Sequence, residues 1–221
     1  MSTPGPFGSR GKSERGGRRF PLQNNRESKE AYHHGDLRRA LIEIATRHVR
    51  LGGAGRFSLR EAAREAGVTS GAAYRHFPDK DALLGAVAGF GFRLLAERTA
   101  EAVSGLAGAE FLLATGRTYI AFASDEPMLF RLMFSTVGVN VQREAREDGA
   151  YEQLKLALAG LQGIAPEVVD EGILALAWSV AHGAASLISE GVWQGNDGRA
   201  EAALQRFAGL IALKASSGFR C

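Results

Sequence analysis

Apolar positions recur at helical spacing along most of the chain, and nowhere does a sustained period-two alternation compete with them. Leu37, Leu41, Ile44, Ala45, His48 and Val49 form one face of a helix predicted from Gly35 or Asp36 to Leu51. Leu59, Ala62, Ala63 and Ala66 fall at i, i+3, i+4 and i+7 and predict a two-turn helix with Ser58 as its N-cap. Gly67 stops that helix, Val68 plugs the corner, and Thr69 caps a further helix through Ser70, Gly71, Ala72, Ala73, Tyr74 and Arg75. Pro78 ends it, because the residue before a proline is pushed out of the helical region. A helix opening near Asp79 carries the stripe Leu83, Val87, Phe90 and Leu94. Further helices are predicted near 108 to 123, 126 to 136, 143 to 162, 167 to 190 and 199 to 215, divided by Asp125-Glu126-Pro127, Gly163 to Pro166 and Gly195 to Gly198. The expected fold is all-α, and residues 58 to 78 within it read as a helix-turn-helix whose second helix enters the DNA major groove.

The run from Phe57 to Leu84, with Ser58-Leu59-Arg60-Glu61-Ala62-Ala63, Ala66-Gly67-Val68 and Tyr74-Arg75-His76-Phe77-Pro78-Asp79-Lys80, resembles the helix-turn-helix of the tetracycline-repressor (TetR) family. Tyr32-His33-His34-Gly35-Asp36-Leu37 extends the likeness upstream, and Trp178-Ser179-Val180-Ala181-His182-Gly183 resembles the Trp-His-Gly element of one C-terminal subgroup. One departure is Ala73, smaller than the leucine common at that position. The resemblance implies a three-helix DNA-binding domain at 31 to 78, followed by a helical effector-binding and dimerisation domain at 79 to 221. It also implies dimerisation through the last two helices, as a four-helix bundle across a two-fold axis. A dimer reads two half-sites about 34 to 36 Å apart, or a multiple of that, so the operator is expected to be near-palindromic.

Charge divides the same way. Residues 1 to 80 hold sixteen Lys and Arg against eight Asp and Glu, a net of +8, while the remainder holds eleven against sixteen, or −5. That asymmetry suits a polyanion-binding half joined to one with another task. Residues 1 to 30 are poor in apolar side chains and are expected to form a disordered basic tail, able to lie along phosphates or merely to solubilise. The single cysteine, Cys221, leaves no disulfide framework within the chain, and no apolar signal core opens the sequence, so the cytoplasm is the expected compartment. Eighteen uncharged residues between Glu171 and Glu190 reach the length of a membrane span. Ser179, His182, Ser186 and Ser189 argue against that, and a helix buried on nearly all sides is expected instead.

Arg60 and Arg75 carry the fork that grips guanine O6 and N7, and with Ser70, Gly71 and Ala72 they are the expected base readers. Ser58, Thr69, Tyr74, His76 and Lys80 occupy positions that the resemblance places at the sugar-phosphate backbone. Tyr74 and His76 also suit interhelix packing, and Phe77 and Ala73 are expected to be packing residues. Met128, Phe130, Met133 and Phe134 form a soft, aromatic-rich cluster that could line a pocket, although its spacing alone favours ordinary core. Trp178 and His182, at i and i+4, share a helical face with a polar handle. The resemblance favours a pocket for a small apolar or amphiphilic effector, with the helix after Asp79 as the lever that spreads the DNA-reading heads.

Enzymatic chemistry finds no support: phosphate loop, nucleophile elbow and dinucleotide fingerprint are all missing. His33 and His34 point about 100° apart on a helix, and no Asp, Glu or Cys at ligand spacing completes a metal set. No cofactor is expected. The leading expectation is a dimeric repressor released from double-stranded DNA by an effector. A ligand-dependent activator, a constitutive DNA-binding module and an interaction protein with a degenerate DNA head are the alternatives.

Overall fold

The computed structural model describes residues 34–138, 149–195 and 197–216. The basic tail, Tyr32, His33, the start of the helix predicted from 143 and Cys221 lie outside the described residues. Nine α-helices are described: α1 (His34–Gly52), α2 (Leu59–Glu65), α3 (Ser70–His76), α4 (Lys80–Ala102), α5 (Gly108–Asp125), α6 (Pro127–Met133), α7 (Ala150–Gln162), α8 (Glu171–Ser189) and α9 (Arg199–Ser216). No strand occurs among the described residues.

The helix-turn-helix forms because its ends are capped by its own side chains. Ser58 Oγ accepts the Glu61 N–H at 3.2 Å and donates to Glu61 Oε2 at 2.8 Å, so cap and third helical residue hold one another. Gly67 takes φ 72°, a left-handed turn that lets the chain reverse at no steric cost. Thr69 Oγ1 then accepts the Ala72 N–H at 3.3 Å. Phe77, before Pro78, is extended and closes α3, and Asp79 Oδ1 caps α4 through the Ala82 N–H at 2.7 Å. Beneath these turns, Leu41, Ala45 and Val49 of α1 join Leu59, Ala62, Ala73 and Phe77 in a fully buried cluster. His48 departs from its expected place in that core. It is half-buried, stands 5.8 Å from the Phe57 ring, and turns its Nε2 to Glu65 Oε2 at 2.7 Å, because an imidazole keeps a polar partner where one is in reach.

Helix α5 is the axis of the remainder, packing on α4, α7, α8 and α9. Two glycines set the spacing. At Gly91 of α4 an added Cβ would lie 2.6 Å from Met133 Sδ, and at Gly116 of α5 one would lie 2.7 Å from a Leu204 methyl of α9. Leu83 and Val87 are buried as expected, but beyond them the buried stripe of α4 runs through Gly91, Leu95 and Thr99, leaving Phe90 and Leu94 only half-buried. The smallest residue marks the close approach of α6, where hydrophobicity alone picks the phenylalanine. One boundary also shifts. Pro166–Val168 is a 3-10 turn, and Asp170 caps α8 through the Ile173 N–H at 2.9 Å, so this helix opens at Glu171 and not at 167. Nor is α8 buried on nearly all sides, for only 33% of its apolar window is buried within the chain.

Candidate nucleic-acid interface and internal cavity

Arg60, Arg75, Thr69, Ser70 and Gly71 are exposed, Ala72 is half-buried, and Tyr74 is 44% exposed. Helices α2 and α3 therefore bring Arg60, Arg75 and the Ser70-Gly71 start of α3 to solvent while Ala73 and Phe77 go inward. Tyr74 sits at the rim of the packing, its ring half in water, and His76 and Lys80 are half-buried. The Ser58 hydroxyl is engaged at both its proton and its oxygen by Glu61, so its work in this structure is capping. Thr69 uses only its oxygen as a cap and keeps a proton to donate outward. At Lys80 the start of α4 is already served by the Asp79 carboxylate, which occupies the N–H a phosphate would take and repels an anion. Lys80 thus stands as a point charge beside a capped helix, not as part of a helix-terminal phosphate site.

Two features of this half escape a motif-level reading. The Arg38 guanidinium lies 5.2 Å from the Phe77 ring centroid, carrying a cation across the base of α3. Glu65 pairs with both His48 and Arg47, and the His48 hydrogen bond first, then the Arg47 charge, hold its carboxyl below the ordinary range. No local signal in the sequence marks either, since each joins residues far apart in the chain.

In the other half, rings from three helices meet. Phe134 stands 4.6 Å from His182, and the Trp178 ring stacks on His182 at 4.8 Å with planes 16° apart. Tyr119 of α5 completes the group: its hydroxyl lies 2.9 Å from His182 Nδ1 and its ring meets Phe130 edge-on at 5.7 Å. Burial pushes the Tyr119 phenol well above the ordinary tyrosine range and depresses His182, so both are neutral near pH 7. Beside this group lies a cavity of about 60 Å³ lined by residues of α4, α5, α7 and α8, among them Phe92, Leu95, Thr115, Gly116, Tyr119, Tyr151, Leu154 and Trp178, together with Phe134 just past α6.

Of the six residues singled out for a pocket, Phe134 and Trp178 line this cavity. Phe130 and His182 pack in the ring cluster behind it. Met133 is fully buried against Gly91, and Met128 lies apart, on a surface hollow with Arg50, Asp125, Glu126 and Pro127. Tyr119 and Thr115, buried polar residues of α5, were not singled out. In sequence they are two polar positions among the apolar residues of α5; Tyr119 takes its meaning from His182 across the helix interface, and Thr115 from the cavity that it lines.

A bidentate pair joins the two halves. Arg50 of α1 donates from Nε and Nη2 to the two oxygens of Glu126, both at 2.7 Å, and Arg98 of α4 approaches the same carboxylate at 3.8 Å. Glu126 is the residue from which α6 starts.

Comparison with known proteins follows this division. Residues 41–87 match the model of the tetR family of bacterial regulatory proteins, and residues 112–219 match that of the tetracyclin repressor-like C-terminal domain. No curated protein matches the chain. Among solved structures it is similar to a protein of unknown function from Rhodococcus sp. RHA1, at 26% identity and TM-score 0.62, over 84% of this chain and 98% of that one. It is also similar to a TetR family transcription regulator from Marinobacter aquaeolei VT8, at 20% identity and TM-score 0.56, over 78% of this chain and 94% of the other. A transcriptional regulator from Pseudomonas aeruginosa PAO1, described as putative, aligns at 19% identity and TM-score 0.56 over 88% and 97% of the two chains. The two at 20% and 19% speak for the fold.

Proposed function

The chain is a transcription regulator of the TetR family with a helix-turn-helix DNA-binding domain, and we propose that it works as a homodimeric repressor released from a near-palindromic operator by a small effector. In this reading residues 31 to 78 form the DNA-binding domain, residues 79 to 221 bind effector and dimerise, and the protein acts in the cytoplasm, where the chromosome is. Trp178, His182 and Gly183 carry the further assignment to a Trp-His-Gly subgroup.

One observation carries the dimer. Helix α8 leaves an uncharged face of Ala175, Leu176, Ser179 and Gly183 in solvent, and α9 exposes Leu210 and Leu213. An apolar surface of this kind, on two neighbouring helices, is unfavourable in water and is relieved by a second copy across a two-fold axis. A dimer sets two α3 helices against successive major grooves, where Arg60 and Arg75 read bases and Thr69, Tyr74, His76 and the Lys80 charge hold phosphates.

Control acts through α6. Its trailing Phe134 lines the cavity, Met133 presses on Gly91 of α4, and Glu126 grips Arg50 of α1. A ligand that prefers one position of α6 therefore biases both helices that carry the reading unit, and only such a preference shifts the equilibrium. The runner-up, a dimer that binds DNA without ligand control, has the small free volume of the cavity in its favour.

Selection of genomic fragments by the purified protein at moderate salt, with its mass in solution, tests the proposal. A dimer that enriches a near-palindrome is expected. A monomer, or retention of fragments with no shared motif, leaves backbone electrostatics alone and overturns it.

A further inference from the structure

Resting on that reading of the cavity as the effector site, we propose that the effector is an uncharged single-ring aromatic compound bearing one hydroxyl, of the phenol or aromatic-alcohol class, and neither an anion nor a cation. None of the described residues lining the cavity carries a formal charge. An ionised carboxylate or ammonium would enter without a counter-charge, which the interior penalises heavily. Tyr119 and His182 beside it supply none: burial keeps Tyr119 protonated and His182 unprotonated.

Size and shape select a single ring. About 60 Å³ is free, less than the roughly 150 Å³ of an apolar cavity that accepts benzene, so even one ring must move a side chain and two fused rings must rebuild the wall. The walls are themselves rings, from Phe92, Tyr119, Phe134 and Trp178, which favour an aromatic guest through edge and offset contacts. The hydroxyl follows from Thr115, which lines the cavity and has committed its only proton to the Phe111 carbonyl at 2.9 Å. Towards a guest it can therefore only accept, and a guest that donates satisfies it.

The test is calorimetry and thermal shift of the full-length protein with phenol, toluene, benzoate and benzylammonium at pH 7, alongside operator affinity. Phenol is expected to bind about tenfold more tightly than toluene, the size of one buried hydrogen bond, and the two ions at least a hundredfold more weakly than phenol. Thr115→Val, which keeps the shape and removes the acceptor, is expected to erase the preference for phenol over toluene while toluene binding stays. Ala181→Leu, which fills the cavity wall, is expected to abolish both without loss of dimer. Binding of benzoate or benzylammonium as tight as phenol, equal binding of phenol and toluene, or no binding by phenol overturns the class. Phenol binding with this selectivity but no change in operator affinity upholds the class and overturns control through the cavity. Operator release by a charged compound that Ala181→Leu prevents does the reverse.

Discussion

Removing either half of the Arg50–Glu126 pair should give unequal losses, and the inequality tests whether the two halves of the protein are joined there. The Glu126 side chain is 12% exposed and the Arg50 side chain 41% exposed. Glu126→Gln frees an arginine that water can rehydrate, so its cost is about 1 kcal/mol, near the upper end for exposed pairs. Arg50→Met strands a nearly buried carboxylate. A fully buried uncompensated charge costs ~3–5 kcal/mol, but Arg98 at 3.8 Å still faces this one, so about 2 kcal/mol is expected. Their double-mutant cycle should return a coupling of about 1 kcal/mol, read from urea unfolding with a common slope. If the pair also transmits effector binding, operator affinity without effector should stay within about threefold of wild type, while the drop on adding effector should shrink by about fivefold or more, the lower end of allosteric couplings. Equal losses for the two single variants, or an effector response that survives both, would refute the argument that α6 speaks to α1 through this carboxylate.

Gly91→Ala puts a methyl 2.6 Å from Met133 Sδ and 3.2 Å from Leu129 Cγ; because the thioether is flexible but fully buried, an unfolding loss of about 1–3 kcal/mol is expected by denaturant titration. Ser58→Ala removes the acceptor at the start of α2 and should cost about 1 kcal/mol by the same titration, with Ser58→Asp largely restoring it. Burial holds His182 below its ordinary 6.5, so the unfolded chain takes up its proton first: the stability this group contributes is full above 6.5 and is lost as pH falls below it. The thermal midpoint should therefore drop between pH 7 and pH 5, and His182→Asn should flatten part of that drop; an unchanged slope in the variant would place the acid sensitivity elsewhere.

The helix-turn-helix was legible residue by residue because its determinants are local. Ser58, Gly67, Thr69, Pro78 and Asp79 each act on backbone within three residues of themselves, and their caps and turns stand where the spacing puts them. The cavity was legible only as a neighbourhood. Phe134 and Trp178 line it, but Met128 and Met133 belong to a surface hollow and to the packing on Gly91. Helical period assigns a residue to a face, not to the neighbour across that face. Tyr119 meets His182 across sixty-three positions and Arg50 meets Glu126 across seventy-six, and neither partner is implied by the other's surroundings in sequence. The same limit accounts for Phe90, which hydrophobicity ranks above Gly91 although the close approach of α6 needs the glycine.

The burial of α8 shows the converse case, in which composition is right and its reading incomplete. Eighteen uncharged residues in a row satisfy two surfaces at once: Leu174, Ala177, Ala181, Ala185 and Ile188 face the chain's own core, while Ala175, Leu176, Ser179 and Gly183 face out. A helix with one partner carries charges on its far side, and a helix that loses water on both sides does not. Its inward face includes Trp178 and His182, so the helix proposed to hold two copies together also forms a wall of the cavity. An uncharged effector brings no field that could repel DNA from the basic half. Its influence must pass through packing, and α8 and α6, which meet at Phe134–Trp178 and at the Arg131 to Ser189 carbonyl hydrogen bond of 2.6 Å, are the elements whose contacts reach both the surface proposed to pair and the helix-turn-helix half.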